Sequence, residues 1–343
     1  MNQPEGFISS GSEQKVHKLQ RSIYGLKYAS RSWNIRFNER IKTFDFHMNL
    51  DEPYVYKKVS GSAITFLVLY VDDILLIGNN IGLLQSTRTW LSKQYSMKDL
   101  GDASFIIGIK IYRDRSRSLH LSQGKYIRDL LKRAQMVDAK GCPTPMVASL
   151  QLSKYTGDSN VDGTLYRSLV SGLQYVTITR PDISFSVNKV SQYMSNLLDT
   201  YWKTVKCILR YLAGTQDHGL TFTSSNHLNL TAFSDSDWAA DIDDRRSTSG
   251  FCVYLCSNLV SWSSKKQHTV SKSNTKAEYQ SLAQATSEVI WLSSLLHELR
   301  VQFTNFQLFR CDNTSAIAIT QNPVLHSRTK HIDVEISLYK RSC

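Results

Sequence analysis

One apolar stretch in the first half of the chain is interrupted by two aspartates. Residues 64–71 are nearly all apolar or β-branched, and a second apolar stretch occupies residues 74–78. Both stretches are short and rich in β-branched residues, which predicts two buried strands. Because Asp72 and Asp73 lie between them, the pattern predicts a β-hairpin that carries two carboxylates at its tip.

Apolar side chains recur at helical spacing on both sides of this hairpin. The elements predicted around it are helices at residues 29–43, 81–93 and 125–134 and a second hairpin at residues 105–112 and 118–121. Pro, Ser, Thr and Asp are frequent in residues 142–162, which are therefore the best candidate for a linker. A mostly helical connection is predicted from there to about residue 219.

The pattern changes from residue 228 onward, where short strand-like stretches precede a long helical one. The predicted elements are strands at residues 228–234, 251–255 and 259–263, a helix at 275–300, a strand at 306–311, a short helix at 315–321 and a last basic helix. Strands followed by an alternation of helix and strand indicate an α/β domain.

The two adjacent aspartates of the first hairpin require a chemical explanation. A pair of like charges between apolar strands is costly unless cations neutralise it, and a turn alone is formed more favourably by Asn-Gly or Asp-Gly. Two neighbouring carboxylates can hold a pair of Mg²⁺ ions that bind an incoming phosphate and a growing 3′ end. The alternative interpretation is a solvated turn without function.

Tyr70-Val71-Asp72-Asp73 resembles the Tyr-x-Asp-Asp box of reverse transcriptases. Further segments resemble, in order, the second half of the polymerase of copia-type retrotransposons and the sequence that follows it. These segments are Leu19–Lys27 with Arg31–Trp33, Asp99–Gly101, Phe105–Ile109, Leu121–Gln123 with Lys125–Ile127, Tyr166–Leu169, Thr179–Ile183, Leu209–Thr215, Arg246–Gly250, Ser261–Gln267 and Arg328–Asp333. Because the resemblance runs essentially from end to end, the sequence is identified as a member of this family.

The resemblance implies a multidomain protein of the α/β and α+β classes. It implies a partial reverse-transcriptase palm and thumb at residues 1–142, a linker and helical connection at 143–227, and a ribonuclease H-like α/β domain at 228–343. The implied activities are RNA-directed DNA synthesis and hydrolysis of the RNA strand of RNA–DNA hybrids. The implied cofactor is Mg²⁺, two ions per site, with Mn²⁺ as a substitute, and Asp72 and Asp73 are the implied catalytic metal ligands of the polymerase part.

Four acids of the C-terminal part lie where a two-metal nuclease needs ligands. Asp235 closes the first predicted strand, Glu278 lies in the first turn of the long helix, Asp312 ends the fourth strand, and Asp333 begins or precedes the last helix. Their order along the chain resembles that of ribonucleases H, whereas retroviral-type integrases place the glutamate last. They are therefore predicted to be catalytic metal ligands, and His331 is predicted to assist product release or proton transfer near Asp333.

These residues also have structural explanations that the sequence leaves open. Glu278 has capping-box spacing and can serve only to complete the helix N-terminus. Asp312 can be the N-cap of the short helix, and His331 can be an ordinary surface residue. Asp237 lies two residues after Asp235 on the same strand face, so it can assist or replace Asp235.

Two departures from the family pattern concern the polymerase part. A reverse transcriptase needs a third carboxylate, and the family's aspartate precedes the segment that corresponds to Gln3–Phe7, so this sequence has no counterpart for it. The segment Gly25–Arg31 has Tyr28 and Ser30 where the family has glutamine and proline. We therefore expect no polymerase activity and, at most, surviving hydrolysis. The competing hypothesis is a catalytically silent nucleic-acid-binding remnant.

Length and composition agree with a globular protein of at least two domains. The chain has 343 residues, of which 41% are hydrophobic and 20% charged, which argues against disorder. Its net charge is +12, and Lys and Arg exceed Asp and Glu by nine in residues 1–150 but by three in residues 151–343. A basic surface favours nucleic acid, although many soluble proteins are mildly basic without binding it.

The resemblance implies RNA–DNA hybrid and primer–template nucleic acid as partners, together with an intact Pol or the capsid particle of the same element. The side chains predicted to contact phosphates are Lys27, Arg31, Lys265, Lys266 and Lys272. The acids Asp241, Asp243 and Asp244 lie beside two arginines and are predicted to form a solvated loop.

Six cysteines are present, and none forms a Cys-x-x-Cys pair. Cys252 and Cys256 lie on a strand-like stretch without a second ligand pair, so reduced thiols in an intracellular protein are expected. The sequence starts without a signal-peptide pattern and contains no stretch that is apolar for long enough to span a membrane. A cytoplasmic particle or the nucleus is the expected location.

Overall fold

The computed structural model describes most of the chain. The described residues are 6, 11, 14–16, 18–19, 26, 28–49, 52–116, 118–147, 150–155, 162–195, 197–225, 228–301 and 307–321. The chain forms two compact units, Met1–Gly101 and Asp102–Cys343. Both units contain helices and sheets, which confirms a multidomain α/β protein. The predicted domain boundaries at residues 142 and 227 stay predictions.

In its described residues, the first unit forms a four-stranded antiparallel sheet with two helices. Its elements are α1 (Ala29–Lys42), β1 (His47–Met48), β2 (Val55–Ser60), β3 (Ala63–Tyr70), β4 (Asp73–Gly78) and α2 (Ile81–Gln94), and the strand order is β1-β2-β3-β4. The two helices predicted in this part of the chain are confirmed. Leu67 and Leu69 of β3 share one buried core with Phe37 of α1 and Leu91 of α2.

β3 buries only one of its faces completely, although its sequence is apolar throughout. Leu67 and Leu69 are buried, whereas Phe66 and Val68 on the opposite face are half-buried, because successive side chains of a strand point to opposite faces. β3 and β4 form the predicted hairpin, in which Tyr70 pairs with Asp73 across a two-residue turn.

The second unit begins with a small antiparallel sheet. Its strands are β5 (Phe105–Ile106), β6 (Ile109–Arg113), β7 (Leu119–Ser122) and β8 (Leu220–Phe222), in the order β5-β6-β7-β8. β7 and β8 pair although His120 and Thr221, whose side chains are hydrogen-bonded at 3.1 Å, lie 101 residues apart in sequence. The sequence does not predict β8, because three residues are too few for a periodic signal.

The second predicted hairpin is confirmed with one correction. The sequence predicts a single strand at residues 105–112, but the structure interrupts it at Ile107 and Gly108, whose φ angles are 46° and 68°. These angles give a two-residue turn between β5 and β6. A β-branched residue rarely adopts positive φ, so the apolar pattern hides this turn. In the folded unit the Tyr175 hydroxyl donates a hydrogen bond to the Ile107 carbonyl.

Four helices build the largest core of the second unit. They are α3 (Gly124–Arg133), α4 (Gly163–Val176), α5 (Ser184–Ser191) and α6 (Asp199–Gly214), and a short 3₁₀ helix (Pro181–Ile183) precedes α5. Leu130, Leu173, Val190 and Leu209, one from each helix, are completely buried in this core. The predicted helix at 125–134 and the predicted helical connection are therefore confirmed.

Part of the predicted linker is packed against these helices. Leu152 and Ser153 are buried. The Tyr193 hydroxyl donates to the Leu152 carbonyl at 2.9 Å, and the Tyr201 hydroxyl donates to the Ser153 carbonyl at 2.5 Å. Tyrosines of the connection thus satisfy backbone carbonyls that burial would otherwise leave without a partner.

A buried arginine joins two of the family segments. Arg180, which is 1% exposed, donates to Asp182 through Nε at 2.9 Å and through Nη2 at 2.7 Å. It also donates to the carbonyl and the hydroxyl of Thr215, both at 2.8 Å. The Tyr211 hydroxyl donates to the same Asp182 carboxylate at 2.7 Å. The network fixes the 3₁₀ helix to the end of α6.

The second unit ends with a mixed sheet and its helices. The elements are β9 (Leu230–Asp237), β10 (Thr248–Leu255), β11 (Asn258–Lys266), α7 (Asn274–Glu298), β12 (Leu308–Arg310) and α8 (Thr314–Gln321). The sheet order is β11-β10-β9-β12, and β12 is parallel to β9 while the other pairs are antiparallel. The predicted strands, the long helix and the short helix are confirmed, with β9 extending through Asp235 to Asp237, whereas the predicted last basic helix lies outside the described residues. Among the described residues, no helix combines the length and apolarity that crossing a membrane requires.

Candidate carboxylate sites

The hairpin tip of the first unit presents Asp72 and Asp73 to solvent. Val71 begins the turn with φ of 53°, a conformation that strains a β-branched residue. The Trp33 indole N–H donates to the Val71 carbonyl at 3.1 Å, and the Trp33 ring packs against Tyr95 with a centroid distance of 5.3 Å. Trp33 therefore holds the turn that positions both aspartates.

Asp72 and Asp73 are placed as predicted, but they supply only part of a metal site. Within the described ranges, the group of three or more potential metal ligands that the structure brings together lies in the second unit, and neither aspartate belongs to it. Two exposed carboxylates at a turn are also compatible with the solvated turn that the sequence leaves open.

The second unit brings Asp235, Glu278 and Asp312 to one end of its mixed sheet. Asp235 lies on β9, Glu278 on α7, and Asp312 lies two residues after the end of β12, which is the neighbour of β9. The completely buried Ser281 anchors α7 because its hydroxyl is within 2.7 Å of the Asp235 carbonyl and 2.9 Å of the Gly250 carbonyl. Glu278 is three residues from Ser281 on the same helix face, so this anchor places it at the sheet.

The capping-box interpretation of Glu278 is wrong. The N-cap of α7 is Ser273, whose hydroxyl accepts from the Lys276 N–H at 3.2 Å. Glu278 lies two residues beyond the third helical position, too far along the helix to reach back to the N-cap. A buried Gln267 instead secures the helix start, since its amide donates to the Ala277 carbonyl at 3.0 Å.

The N-cap interpretation of Asp312 is also wrong. The amide oxygen of Asn313 accepts from the Ala316 N–H at 2.9 Å and so caps α8. The Asp312 side chain is exposed and stays free to face Glu278. The sequence could not separate these roles, because aspartate and asparagine are equally good N-cap residues.

Glu278 is the electrostatic centre of this site. Its side chain is 3% exposed, and its Oε2 atom has no hydrogen-bond partner. Burial, together with the negative charges of Asp235 and Asp312, raises the pKa of Glu278 to about 7. A hydrogen bond from the Ser236 backbone N–H partly offsets this rise, but a buried carboxylate with one oxygen unpaired remains costly in a folded protein.

Sequence reasoning missed Cys311 as a member of this site. The ligand atoms of Glu278, Cys311 and Asp312 all lie within 4.8 Å of one another. Burial is the main reason that the pKa of the Cys311 thiol is raised, and the charges of Glu278 and Asp312 add to the effect. The one available signal was the position of the cysteine directly before Asp312, where the strand ends and both side chains can turn the same way.

The remaining predicted site residues divide into described and undescribed ones. Asp237 is exposed at the end of β9 and does not belong to the three-ligand cluster. Asp235 also lies outside that cluster, but its charge acts on Glu278, whereas no such interaction links Asp237 to Glu278. Asp333, His331 and Lys27 lie outside the described residues.

The predicted phosphate-binding side chains differ in their surroundings. Arg31, Lys265 and Lys272 are exposed. The Lys266 ammonium, in contrast, lies 2.7 Å from the Asp241 carboxylate and 2.9 Å from Asp244. Its charge is satisfied inside the protein, so this arrangement argues against contact between Lys266 and phosphate.

The loop that contains Asp241, Asp243 and Asp244 was predicted to be solvated, but it is partly buried and pairs with Lys266. Asp241 is 2% exposed, and although burial opposes its ionisation, the hydrogen bond and charge of Lys266 keep its pKa below the ordinary value. Asp243 accepts from the Ser153 hydroxyl at 2.7 Å and from the Lys154 N–H at 2.9 Å. The acids of this loop therefore make hydrogen bonds and ion pairs inside the protein, and they do not act only as a solvated surface.

An open cleft of about 620 Å³ adjoins the acids of the second unit. Asp235, Asp312 and Cys311 line it together with Arg310. Its other lining residues include four aromatic ones, Phe185, Phe233, Phe251 and Trp262. Aromatic faces beside a cation and acids are surfaces on which nucleobases stack.

We expect Glu278→Gln to stabilise the protein in a pH-dependent way when divalent cations are chelated. Below the ordinary pKa of 4.5 both folded and unfolded Glu278 are protonated, whereas above the folded pKa of about 7 the folded state carries a buried charge. Glutamine removes that cost, so the free energy of unfolding should rise at high pH by up to about 3 kcal/mol, because a pKa difference of one corresponds to about 1.4 kcal/mol, and it should stay nearly unchanged in acid. Urea unfolding at both pH values measures the difference.

The matched control for this measurement is Asp237→Asn, an exposed acid at the end of β9. Surface substitutions of this kind usually change stability by less than about 0.5 kcal/mol. A Glu278→Gln variant that is destabilised equally at both pH values would contradict the assignment of a buried, repelled carboxylate.

The chain is similar to a reverse-transcriptase family model and to curated transposon proteins. The family model of reverse transcriptase (RNA-dependent DNA polymerase) matches residues 1–148. The retrovirus-related Pol polyprotein from transposon RE2 of Arabidopsis thaliana is 43% identical over 335 residues, which cover 98% of this chain and 23% of that protein.

Two further relatives extend the comparison. The retrovirus-related Pol polyprotein from transposon TNT 1-94 of Nicotiana tabacum is 41% identical over 343 residues, 97% of this chain and 26% of that protein. An uncharacterized mitochondrial protein of Arabidopsis thaliana is 44% identical over 229 residues, 67% of this chain and 95% of that protein. The chain spans about a quarter of the length of the Pol polyproteins that it matches. It belongs to the family of copia-type, retrovirus-related Pol polyproteins of transposons.

Proposed function

We propose that the second unit contains a ribonuclease H-like domain that hydrolyses the RNA strand of RNA–DNA hybrids. The observation that carries this proposal is the convergence of Asp235, Glu278 and Asp312 at one end of a mixed sheet, with Glu278 buried and its Oε2 atom without a hydrogen-bond partner. Three antiparallel strands, a long helix and a strand parallel to the first support the predicted α/β domain.

The residues of this site fit Mg²⁺. The unpartnered Oε2 atom of Glu278 and the mutual repulsion of the acids are both relieved by a hard cation with oxygen ligands. Asp235, Glu278 and Asp312 would hold the ions, and Asp333 is proposed as a further ligand by family order. When bound, two such ions activate water and stabilise the leaving 3′ oxygen.

The protein itself supplies position and shape. Ser281 and the Gln267 amide fix the start of α7, so Glu278 and Asp235 keep their separation without a ligand. The aromatic cleft offers stacking surfaces beside the acids, and the exposed Lys265 and Lys272 can meet phosphates. An intact Pol or a capsid particle remains a proposed partner, and a cytoplasmic particle or the nucleus remains the proposed location.

The proposed hydrolysis is tested with a hybrid of labelled RNA and DNA. The purified chain is expected to cleave the RNA strand with Mg²⁺ or Mn²⁺, to stop when the metal is chelated, and to leave the DNA strand and single-stranded RNA intact. Binding of the hybrid without any cleavage at either metal would instead support the second hypothesis, a silent nucleic-acid-binding remnant, which the basic side chains alone can explain.

The second part of the proposal is that this 343-residue chain by itself does not extend a primer. Two-metal phosphoryl transfer needs ligands that hold both ions about 3.5–4 Å apart. Within the described part of the chain, no third ligand groups with Asp72 and Asp73. With a primed RNA template, Mg²⁺ or Mn²⁺ and deoxynucleotides, primer extension is expected to stay at background.

The control for this assay is the double variant Asp72→Asn, Asp73→Asn, which keeps the turn and removes both charges. The wild-type chain and the double variant should give the same signal. Extension by the wild type that disappears in the double variant would show that a third ligand is present and would refute this part of the proposal.

A further inference from the structure

The three-ligand cluster of the second unit contains a sulfur atom. The Cys311 Sγ atom lies within 4.8 Å of a carboxylate oxygen of Glu278 and of Asp312. The Cys311 side chain is partly buried, Glu278 is 3% exposed, and the Glu278 Oε2 atom has no partner. The unpartnered oxygen is independent evidence that this cluster is built to receive a ligand with positive charge.

A mixed sulfur and oxygen ligand set has a preference that an all-carboxylate set lacks. Mg²⁺ is a hard cation that takes oxygen ligands, whereas thiolates favour softer, borderline ions. Zn²⁺ binds Cys, Asp and Glu in tetrahedral sites and often keeps one position for water. Three protein ligands from Glu278, Cys311 and Asp312 match that description.

We propose that Glu278, Cys311 and Asp312 form a thiolate-containing site for Zn²⁺ or a similar borderline divalent cation. Binding forms a metal–sulfur bond, and the thiol proton leaves to solvent, so the cation replaces one proton on Cys311. Occupancy of this site removes two carboxylates from the set that holds Mg²⁺. The cation therefore inhibits hydrolysis, a consequence that rests on the proposed function.

The binding is tested with Co²⁺, a spectroscopic substitute for Zn²⁺, added to the full chain under reducing conditions. A thiolate-to-cobalt charge-transfer band is expected in the near ultraviolet and should saturate at one equivalent. Cys311→Ser should abolish the band. The matched control Cys252→Ser should keep it, because Cys252 is also partly buried and lines the same cleft but lies outside the three-ligand cluster.

A second variant keeps the test valid if Cys311→Ser does not fold. Asp312 is exposed, so Asp312→Asn should fold normally, keep the sulfur ligand and weaken Co²⁺ binding by at least about tenfold. Zn²⁺ should displace Co²⁺ and bleach the band. A wild-type chain without the band, or a band that persists in Cys311→Ser, overturns the proposal.

The band reports ligation and not catalysis, so the two proposals can fail separately. If the Cys311-dependent band appears but no hybrid is cleaved, the metal-site proposal stands and the proposed hydrolysis is refuted. If the chain cleaves the hybrid with Mg²⁺ but shows no band, the proposed hydrolysis stands and the thiolate-site proposal is refuted. If both hold, Zn²⁺ should suppress Mg²⁺-dependent cleavage, and Cys311→Ser should reduce that suppression.

Discussion

Asp312→Asn is expected to slow Mg²⁺-dependent hydrolysis of the RNA strand by about 10²–10³-fold. Each tenfold loss corresponds to about 1.4 kcal/mol of transition-state stabilisation, and a carboxylate that positions a metal accounts for several kcal/mol. Asparagine keeps the size and shape of the side chain and removes its charge. Initial rates at saturating hybrid, with folding checked by circular dichroism, measure the effect.

Asp237→Asn is the control for this substitution, because Asp237 and Asp312 are both exposed acids of the second unit. Only Asp312 belongs to the three-ligand cluster. The rate of Asp237→Asn should stay within about twofold of the wild type. Equal losses in both variants would mean that general charge, and not ligation, governs the rate, and would remove the basis for the site.

Asp182→Ala is expected to lower the free energy of unfolding by about 3 kcal/mol. The substitution leaves the guanidinium of Arg180, which is 1% exposed, without its carboxylate partner, although the two hydrogen bonds to Thr215 remain. An unpaired charge in the interior is among the most costly defects that a single substitution can create. Denaturant unfolding of the full chain measures the loss.

The double variant Arg180→Met, Asp182→Ala separates charge from packing. Methionine removes the buried charge at similar volume, so the double variant should be more stable than Asp182→Ala alone. Burial opposes ionisation of Asp182, but the hydrogen bonds from Arg180 and Tyr211 outweigh it and lower the pKa from 3.8. The stabilisation by Asp182 is therefore complete above pH 3.8 and is lost as the pH falls through the lowered folded pKa. If the double variant is less stable than Asp182→Ala, the unpaired charge of Arg180 is not the cause of the lost stability.

The sequence predicted the elements that carry the candidate sites, because their signals are local. The apolar runs before and after Asp72 and Asp73 have strand character, and the four-residue spacing around Trp33 and Phe37 has helix character. Each of these signals needs only neighbours along the chain. The same locality explains why the predicted helices and the hairpin tip agree with the structure.

The errors came from interactions between distant residues. Pattern alone could not show that Lys266 is neutralised by Asp241 and Asp244 or that Leu152 is buried by the helices. The alternative cap positions that the sequence left open differ from the observed caps, Ser273 and Asn313, by two residues and one residue, because neighbouring residues are equally suitable caps. Cys311 was missed because its partner Glu278 is supplied by a different element of the fold.

The pairing of β7 with β8 affects how the second unit folds during its synthesis. The hydrogen-bonded residues His120 and Thr221 are 101 residues apart, so in a chain emerging from a ribosome one edge of β7 stays unpaired until β8 has been synthesised, while β6 pairs with the other edge. Contacts of such long sequence separation form slowly, and an unpaired strand invites association with other chains. Expression at low temperature, or slower translation between these strands, should therefore increase the yield of soluble protein.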